Sequence, residues 1–175
     1  LRDVDLFTAA QKFYQDHDDV YDFLVVFNAF DLQLPGSSFA FEINVRNQVR
    51  GIGNVLPGLS LFDFGPELGS ARRLQSFISM GALSQYPEDP TVRIPIVGEN
   101  TTLSVLGQEA GHRFGVFVDF FDTELGSASS ALLGRQQAHW SFFFNSDASV
   151  LEGNRIADHG MTSPRFETVA TVEKY

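Results

Sequence analysis

The feature that most constrains the fold is the apolar run YDFLVVFNAF at residues 21–30, which lies between aspartates. A dense apolar run of this length is typical of a strand buried within a sheet. The preceding segment, 4–15, has its apolar residues at helical spacing, and 39–47 alternates apolar and polar residues as a half-solvated strand does. This mixture of helix and strand patterns predicts an α+β fold.

Length and composition indicate one globular domain. The chain has 175 residues, 43% of them hydrophobic and 19% charged, which is enough for one domain with a real core. It has no internal repeat, and its 18 Phe residues indicate a core or cleft rich in aromatic rings. We predict one domain over 1–175. Because the chain starts without Met and ends in a strand-like run, FETVATVEKY, we expect a piece of a longer protein.

Charge and cysteine content exclude several kinds of partner and site. The net charge is -10, from 12 basic and 22 acidic side chains, and such a surface repels nucleic acid and anionic membranes. No run approaches the roughly 20 apolar residues of a membrane-spanning helix. The chain has no cysteine, so a metal ion would be held by His, carboxylate or amide groups.

The segment with the most specific chemistry is LGQEAGHRFG at 106–115. Gln108 and His112 are four residues apart, so on a helix they project from the same face and can share one metal ion. Glu109 lies beside them, where a carboxylate acts as general base on a metal-bound water. The alternative is an ordinary helix with a hydrogen-bonded structural histidine.

We predict that this segment lies in a helix at about 100–120. Such a helix would be capped by Asn100, Thr101 or Thr102. Its predicted apolar stripe comprises Leu103, Leu106, Ala110, Phe114 and Phe117.

The residues after His112 extend the pattern. Gly115 follows three residues later, so the string is x-E-x-x-H-x-x-G. This resembles the opening of the metzincin zinc peptidases, in which the glycine lets the chain turn beneath the metal. Most metzincins have a third histidine three residues after that glycine, where this chain has Val118.

The segment from His139 to Met161 is similar to a leishmanolysin-like arrangement of the metzincin site. In that arrangement the third ligand comes from a later H-W pair, and this chain has His139 and Trp140. A methionine turn lies about a dozen residues further on. Here SVLEG has Leu151 twelve residues after His139, and Met161 is a second, later candidate for the turn.

The resemblance implies a zincin-like domain with a mixed twisted sheet and a zinc-dependent peptidase activity. Peptide bonds of a peptide or protein substrate would be hydrolysed by Glu109-assisted attack of metal-bound water. The metal ligands would be Gln108, His112 and His139, with Gln108 in place of the first histidine of H-E-x-x-H. An amide oxygen is a weaker donor than an imidazole, so we expect zinc to be weakly bound or absent. We expect a secreted protein, extracellular or periplasmic.

Two other functions and several other ligands remain open at this point. The chain is alternatively a catalytically impaired metallopeptidase homologue that acts as a binding or scaffold module, or an unrelated α/β domain. His159, Glu124 or Glu152 could complete the metal site in place of Gln108 or His139. His17, in QDHDDVYD, is better explained as part of a solvated acidic turn.

Overall fold

The computed structural model describes residues 5–31, 34, 38–48, 61–114, 120–134 and 137–171. By its internal contacts the chain divides into two compact units. Unit 1 comprises Leu1–Arg50 and Asn54–Arg113, and unit 2 comprises Gly51–Gly53 and Phe114–Tyr175. The prediction of a single zincin-like domain stays a prediction.

The described residues combine two α-helices with short strands in mixed sheets, so the α+β prediction is confirmed. In chain order the elements are α1 (Leu6–Asp16), β1 (Phe23–Asn28), β2 (Phe41–Asn44), β3 (Arg46–Asn47), β4 (Phe62–Asp63), β5 (Ser76–Ala82), α2 (Thr102–His112), β6 (Phe120–Asp122), β7 (Ser127–Ser129), β8 (Asn154–Asp158) and β9 (Phe166–Thr171). Short 3-10 helices span Pro66–Leu68 and Leu83–Gln85.

A three-stranded sheet forms the centre of unit 1. Strand β5 lies between β1, which is parallel to it, and β2, which is antiparallel. All seven residues of β5 are buried. Because both of its faces are covered, its sequence lacks the alternation of a half-solvated strand, and the residues at 71–83 alone do not distinguish helix from strand.

The two faces of this sheet are covered by different helices. On one face, Ala10 of α1 belongs to the same hydrophobic cluster as Phe77 of β5. On the other face, Val105 of α2 belongs to the same cluster as Ile78. Consecutive residues of β5 thus serve opposite faces, as the pleat of a strand requires.

Helix α1 confirms the prediction from helical spacing at 4–15. Its N-cap is Asp5, whose carboxylate accepts hydrogen bonds from the backbone N–H groups of Phe7 and Thr8. The helix ends at Asp16, where His17 takes an extended conformation. The cap satisfies donors that the first turn leaves without intrahelical partners.

Both strands predicted near the N-terminus are present, but their predicted burial was wrong. The side chains of Val25 and Phe27 in β1 are each 36% exposed, because β1 is an edge strand and the central position belongs to β5. In the segment predicted to be half-solvated, three consecutive residues are buried, namely Val45, Arg46 and Asn47. Burial therefore depends on the position of a strand in the sheet.

The segment 51–70 is interrupted by Gly and Pro, which predicts a loop, but its described half contains a strand and a 3-10 helix. Residues 51–60 lie outside the described residues. Strand β4 pairs with β3, and an ion pair of 3.3 Å joins Arg46 Nη2 to Asp63 Oδ1 across that pair. The 3-10 helix at Pro66–Leu68 comes next, so the loop prediction was wrong for this half.

The described part of unit 2 comprises two antiparallel hairpins and the segment between them. Strands β6 and β7 pair at the start of 122–137, a stretch whose polar and small residues predict a connection, and β8 pairs with β9. The strand predicted from FETVATVEKY is confirmed as β9. Within the described ranges, no helix is long and apolar enough to span a membrane.

Candidate active site

Helix α2 carries Gln108, Glu109 and His112, and its start is defined by a capping box. The side chain of Thr101 accepts from the backbone N–H of Ser104, and the Ser104 hydroxyl accepts from the N–H of Thr101. Of the three predicted caps, Thr101 is therefore the one used. The helix ends at His112, so the prediction of a helix to about residue 120 was wrong at 113–114, and 115–119 lie outside the described residues.

The buried face of α2 differs from the predicted apolar stripe. Leu106 and Ala110 pack against the core, but Leu103 and Phe114 are 53% and 79% exposed, and Phe117 lies outside the described residues. The buried positions of the helix are Thr102, Ser104, Val105 and Glu109. The helix thus turns a carboxylate towards the sheet.

The carboxylate of Glu109 lies against the edge strand β2 and is 6% exposed. It accepts a hydrogen bond from the backbone N–H of Glu42. Burial raises the pKa of Glu109 to about 7, although this hydrogen bond acts in the opposite direction. A carboxyl group with a pKa near 7 can both accept and release a proton at neutral pH, which is the property of a general base.

The side chain of Glu42 is a second, partly buried carboxyl at this contact. The Ser76 hydroxyl donates to Oε1 of Glu42 at 2.5 Å, and the Asn44 amide donates to Oε2 at 3.2 Å. Burial raises the pKa of Glu42 to about 7, the Ser76 hydrogen bond and the charge of Arg113 lower it, and the charge of Glu109 raises it. Sequence reasoning missed Glu42, because an acidic residue in an alternating strand has the pattern of a solvated position.

Two polar side chains complete the surroundings of the carboxyl pair. Arg113 Nη2 donates to Gln75 Oε1 at 2.9 Å. The Tyr86 hydroxyl donates to the backbone oxygen of Met80 at 2.6 Å. Burial and the charge of Glu109 raise the pKa of Tyr86, so the phenol is neutral. The contact between α2 and the sheet therefore contains acidic, basic and phenolic groups.

Gln108 and His112 are partly buried and lie one helical turn apart. The Asn44 amide donates to the backbone oxygen of His112 at 3.5 Å, which connects the end of α2 to β2. The structure thus brings Gln108, Glu109 and His112 together on one helix of unit 1.

His139, the third predicted ligand, belongs to unit 2, where its backbone is held on both sides. The backbone oxygen of His139 accepts from the N–H of Gly134 at 2.7 Å. The next N–H, that of Trp140, donates to the backbone oxygen of Leu151 at 2.9 Å. The H-W pair and the SVL turn, which are eleven or twelve residues apart in sequence, are therefore adjacent in space.

The side chain of His139 faces an acidic neighbour. His139 Nδ1 lies 3.6 Å from Glu152 Oε2, and the two side chains are 12% and 8% exposed. Glu152 has a φ of 66°, in the left-handed region that residues other than glycine rarely adopt. A buried histidine beside a carboxylate is an arrangement in which the carboxylate orients the ring.

The two candidates for the methionine turn differ completely in burial. Leu151 is 2% exposed, whereas Met161 is fully exposed. Leu and Met have similar volumes, so a leucine can fill a packed floor in place of a methionine. Burial favours Leu151 as the turn residue.

The other histidine and glutamate side chains considered from the sequence each have different local contacts. His159 Nε2 lies 3.0 Å from Glu167 Oε2 at an exposed position of the β8–β9 hairpin. Glu124 is exposed in the turn between β6 and β7. The ring of His17 stacks on Phe13 with a centroid distance of 4.2 Å.

The donor types of the predicted metal site fit zinc, since imidazole nitrogen and amide or carboxylate oxygen all ligate it. Over the ranges that the structure describes, no group of three or more His, Cys, Asp or Glu side chains is arranged to hold a metal ion. Gln108 and His112 belong to unit 1 and His139 to unit 2. The three-residue ligand set stays a prediction.

Comparison with protein-family models, curated proteins and solved structures finds no match to this chain.

Proposed function

We propose that this protein is a zinc-dependent peptidase in which Glu109 is the general base and Gln108, His112 and His139 are the metal ligands. The observation that carries the proposal is the placement of Glu109. It is buried on the same helix as the two ligands of unit 1, and its carboxylate is held by the backbone N–H of Glu42. The expected substrate is a peptide or protein outside the cytoplasm.

In the proposed reaction, zinc, Glu109 and the backbone of Glu42 have different roles. Zinc, when bound, supplies a Lewis acid that lowers the pKa of water and polarises a carbonyl. Glu109 accepts the proton of the attacking water and passes it to the leaving amine. The N–H of Glu42 holds the Glu109 carboxylate in one orientation, which reduces the reorganisation that proton transfer requires.

The adjacency of Trp140 and Leu151 is independent support from unit 2. The resemblance to metzincins needs the H-W pair and the turn to lie together, although they are distant in sequence. Their backbone hydrogen bond of 2.9 Å and the burial of Leu151 agree with this requirement.

The test of catalysis compares the wild type with Glu109→Gln in cleavage of an unfolded protein, with zinc present. Removal of a general base is expected to lower the rate by a factor of about 10² to 10⁴. The matched control is Glu88→Gln, the same change at an exposed residue of unit 1, which should cleave at the wild-type rate. Equal rates for Glu109→Gln and the wild type would remove the catalytic assignment.

A catalytically impaired homologue that acts as a binding or scaffold module is the second candidate. It is favoured by the 6% exposure of Glu109, whose carboxylate already has a backbone partner, and by Gln108 at the first ligand position. Zinc binding without cleavage would support this candidate. If protein purified without chelator holds no metal and added zinc leaves Tm unchanged, the ligand assignment fails for both.

A further inference from the structure

We infer that Glu152 is a positioning residue for His139. Its carboxylate faces Nδ1, stabilises the tautomer that carries the proton on that nitrogen, and so leaves Nε2 as the atom that would bind metal. This inference rests on the proposed function, because it assigns a role to Glu152 at a ligand of that site. It differs from the expectation that Glu152 is itself a ligand.

The contact between the two side chains determines which ring nitrogen is available. Nδ1 of His139 is the nitrogen that faces Glu152, at 3.6 Å from Oε2. A neutral imidazole carries its proton on one nitrogen and a lone pair on the other. A carboxylate stabilises the tautomer with the proton on the nitrogen that faces it, so the lone pair is on Nε2.

The burial of the pair makes this interaction stronger than one at the surface. The exposed fractions of the two side chains are 12% and 8%. A buried carboxylate is costly unless a donor faces it, and His139 supplies one. Histidines that ligate zinc usually donate their other N–H to a carboxylate, a backbone carbonyl or a water, which fixes the ring and increases its basicity.

The backbone around the pair is held so that the two side chains meet. The backbone N–H of Trp140 donates to the backbone oxygen of Leu151. Because His139 precedes Trp140 and Glu152 follows Leu151, this bond places His139 and Glu152 side by side. The left-handed φ of Glu152 is a strained conformation for a residue with a β-carbon. A glycine would adopt this conformation without strain. The presence of glutamate at a position that favours glycine indicates that the Glu152 side chain has a role there.

The first experiment determines the tautomer of His139 in the metal-free full chain. Nitrogen chemical shifts of the histidine rings are measured at pH 8, with His139→Gln to assign the signal. We expect His139 to be protonated on Nδ1. A ring protonated on Nε2 would overturn the inference, and the result needs neither zinc binding nor a Glu152 variant that folds.

The second experiment measures the Kd for zinc in the wild type and in Glu152→Gln. Loss of an outer carboxylate partner is expected to weaken zinc binding by about 10- to 100-fold. Asp147→Asn is the matched control for the loss of one negative charge in unit 2. Asp147 is 80% exposed and pairs with Arg155, so the Kd of the Asp147→Asn variant for zinc should equal that of the wild type.

The two readouts distinguish the inference from the proposed function. If the wild type binds no zinc, the ligand assignment of the proposed function fails, and the tautomer still decides whether Glu152 orients His139. If the wild type binds zinc and Glu152→Gln binds it equally well, the positioning role is wrong and the proposed function stands.

Discussion

The carboxylate of Glu109 in α2 accepts a hydrogen bond from the backbone N–H of Glu42 in the edge strand β2. This bond places a buried and a partly buried carboxyl group at one contact between helix and sheet. Burial raises the pKa of each to about 7, and the charge of Glu109 contributes to the raised pKa of Glu42. The contact therefore responds to pH close to neutrality.

Stability is expected to fall as the pH rises towards 7, in part because of Glu42. Its folded pKa of about 7 exceeds the ordinary value of 4.5, so between these values the folded state holds a proton that the unfolded state has lost. The free energy of unfolding therefore decreases through this window and is level above it. The test is urea unfolding of the wild type and Glu42→Gln at pH 5 and pH 8. From the lower to the higher pH, the free energy of unfolding of Glu42→Gln should rise by about 1 to 3 kcal/mol relative to that of the wild type. The exposed Glu88→Gln should show no such change.

Asp19 is expected to contribute in the opposite direction and at lower pH. Its carboxylate accepts from the Ser70 hydroxyl and from the N–H groups of Arg72 and Arg73. Burial raises the pKa of Asp19, but these hydrogen bonds outweigh it and lower the pKa below 3.8. This stability is present above the ordinary pKa and is lost as the pH falls through the folded one. Asp19→Asn should lose about 1 to 2 kcal/mol at pH 7, measured by urea unfolding, and the exposed neighbour Asp18→Asn should match the wild type.

Thr101→Ala should destabilise the start of α2. The variant removes the side-chain oxygen that accepts from the N–H of Ser104, which leaves one donor of the first turn without its partner. The expected loss is about 1 kcal/mol in thermal unfolding. Leu103→Ala, at a position of the same helix that is 53% exposed, serves as the comparison and should change stability less. A larger loss at Leu103 would contradict the importance of the cap.

Gly134→Ala should destabilise unit 2 by about 1 to 3 kcal/mol. A β-carbon at this position would overlap the backbone oxygen of Trp140, and backbone atoms have no rotamer by which to move away. Unfolding can be followed by the fluorescence of Trp140, since the chain has one tryptophan. Gly126→Ala is the control for conformational strain alone, because nothing lies within 4 Å of its β-carbon and its φ is 65°. Equal losses at both positions would show that the close approach is not the cause.

Gln108→His should tighten zinc binding, because imidazole is a better donor for zinc than a neutral amide oxygen. We expect Kd to fall by about tenfold or more, measured by calorimetry. Gln15→His places a histidine on the exposed face of α1 and should leave Kd unchanged. If the two variants bind zinc alike, position 108 is not a ligand position.

Local patterns determined the elements of this fold well. The spacing at 4–15 predicted α1, the apolar run at 21–30 predicted β1, and the polar residues at 100–102 predicted the start of α2. These predictions depend on interactions within a few residues, such as a capping side chain or a repeat of 3.6 residues. Such interactions involve residues that are close together in the sequence, so the sequence alone predicts them.

Burial and the partners of each side chain were decided only by the tertiary structure. The apolar run at 21–30 lies at a sheet edge, and α2 buries Glu109 while it exposes Leu103. Local periodicity describes which residues share a face, but the segment that covers that face comes from elsewhere in the chain.

The candidate site shows the same division. The sequence by itself determined that Gln108, Glu109 and His112 share a helix, since four residues make about one turn. Only the tertiary structure brought the N–H of Glu42 to Glu109 and the carboxylate of Glu152 to His139. These contacts join residues 67 and 13 positions apart, and contacts over such separations depend on how strands and turns pack and not on any local pattern.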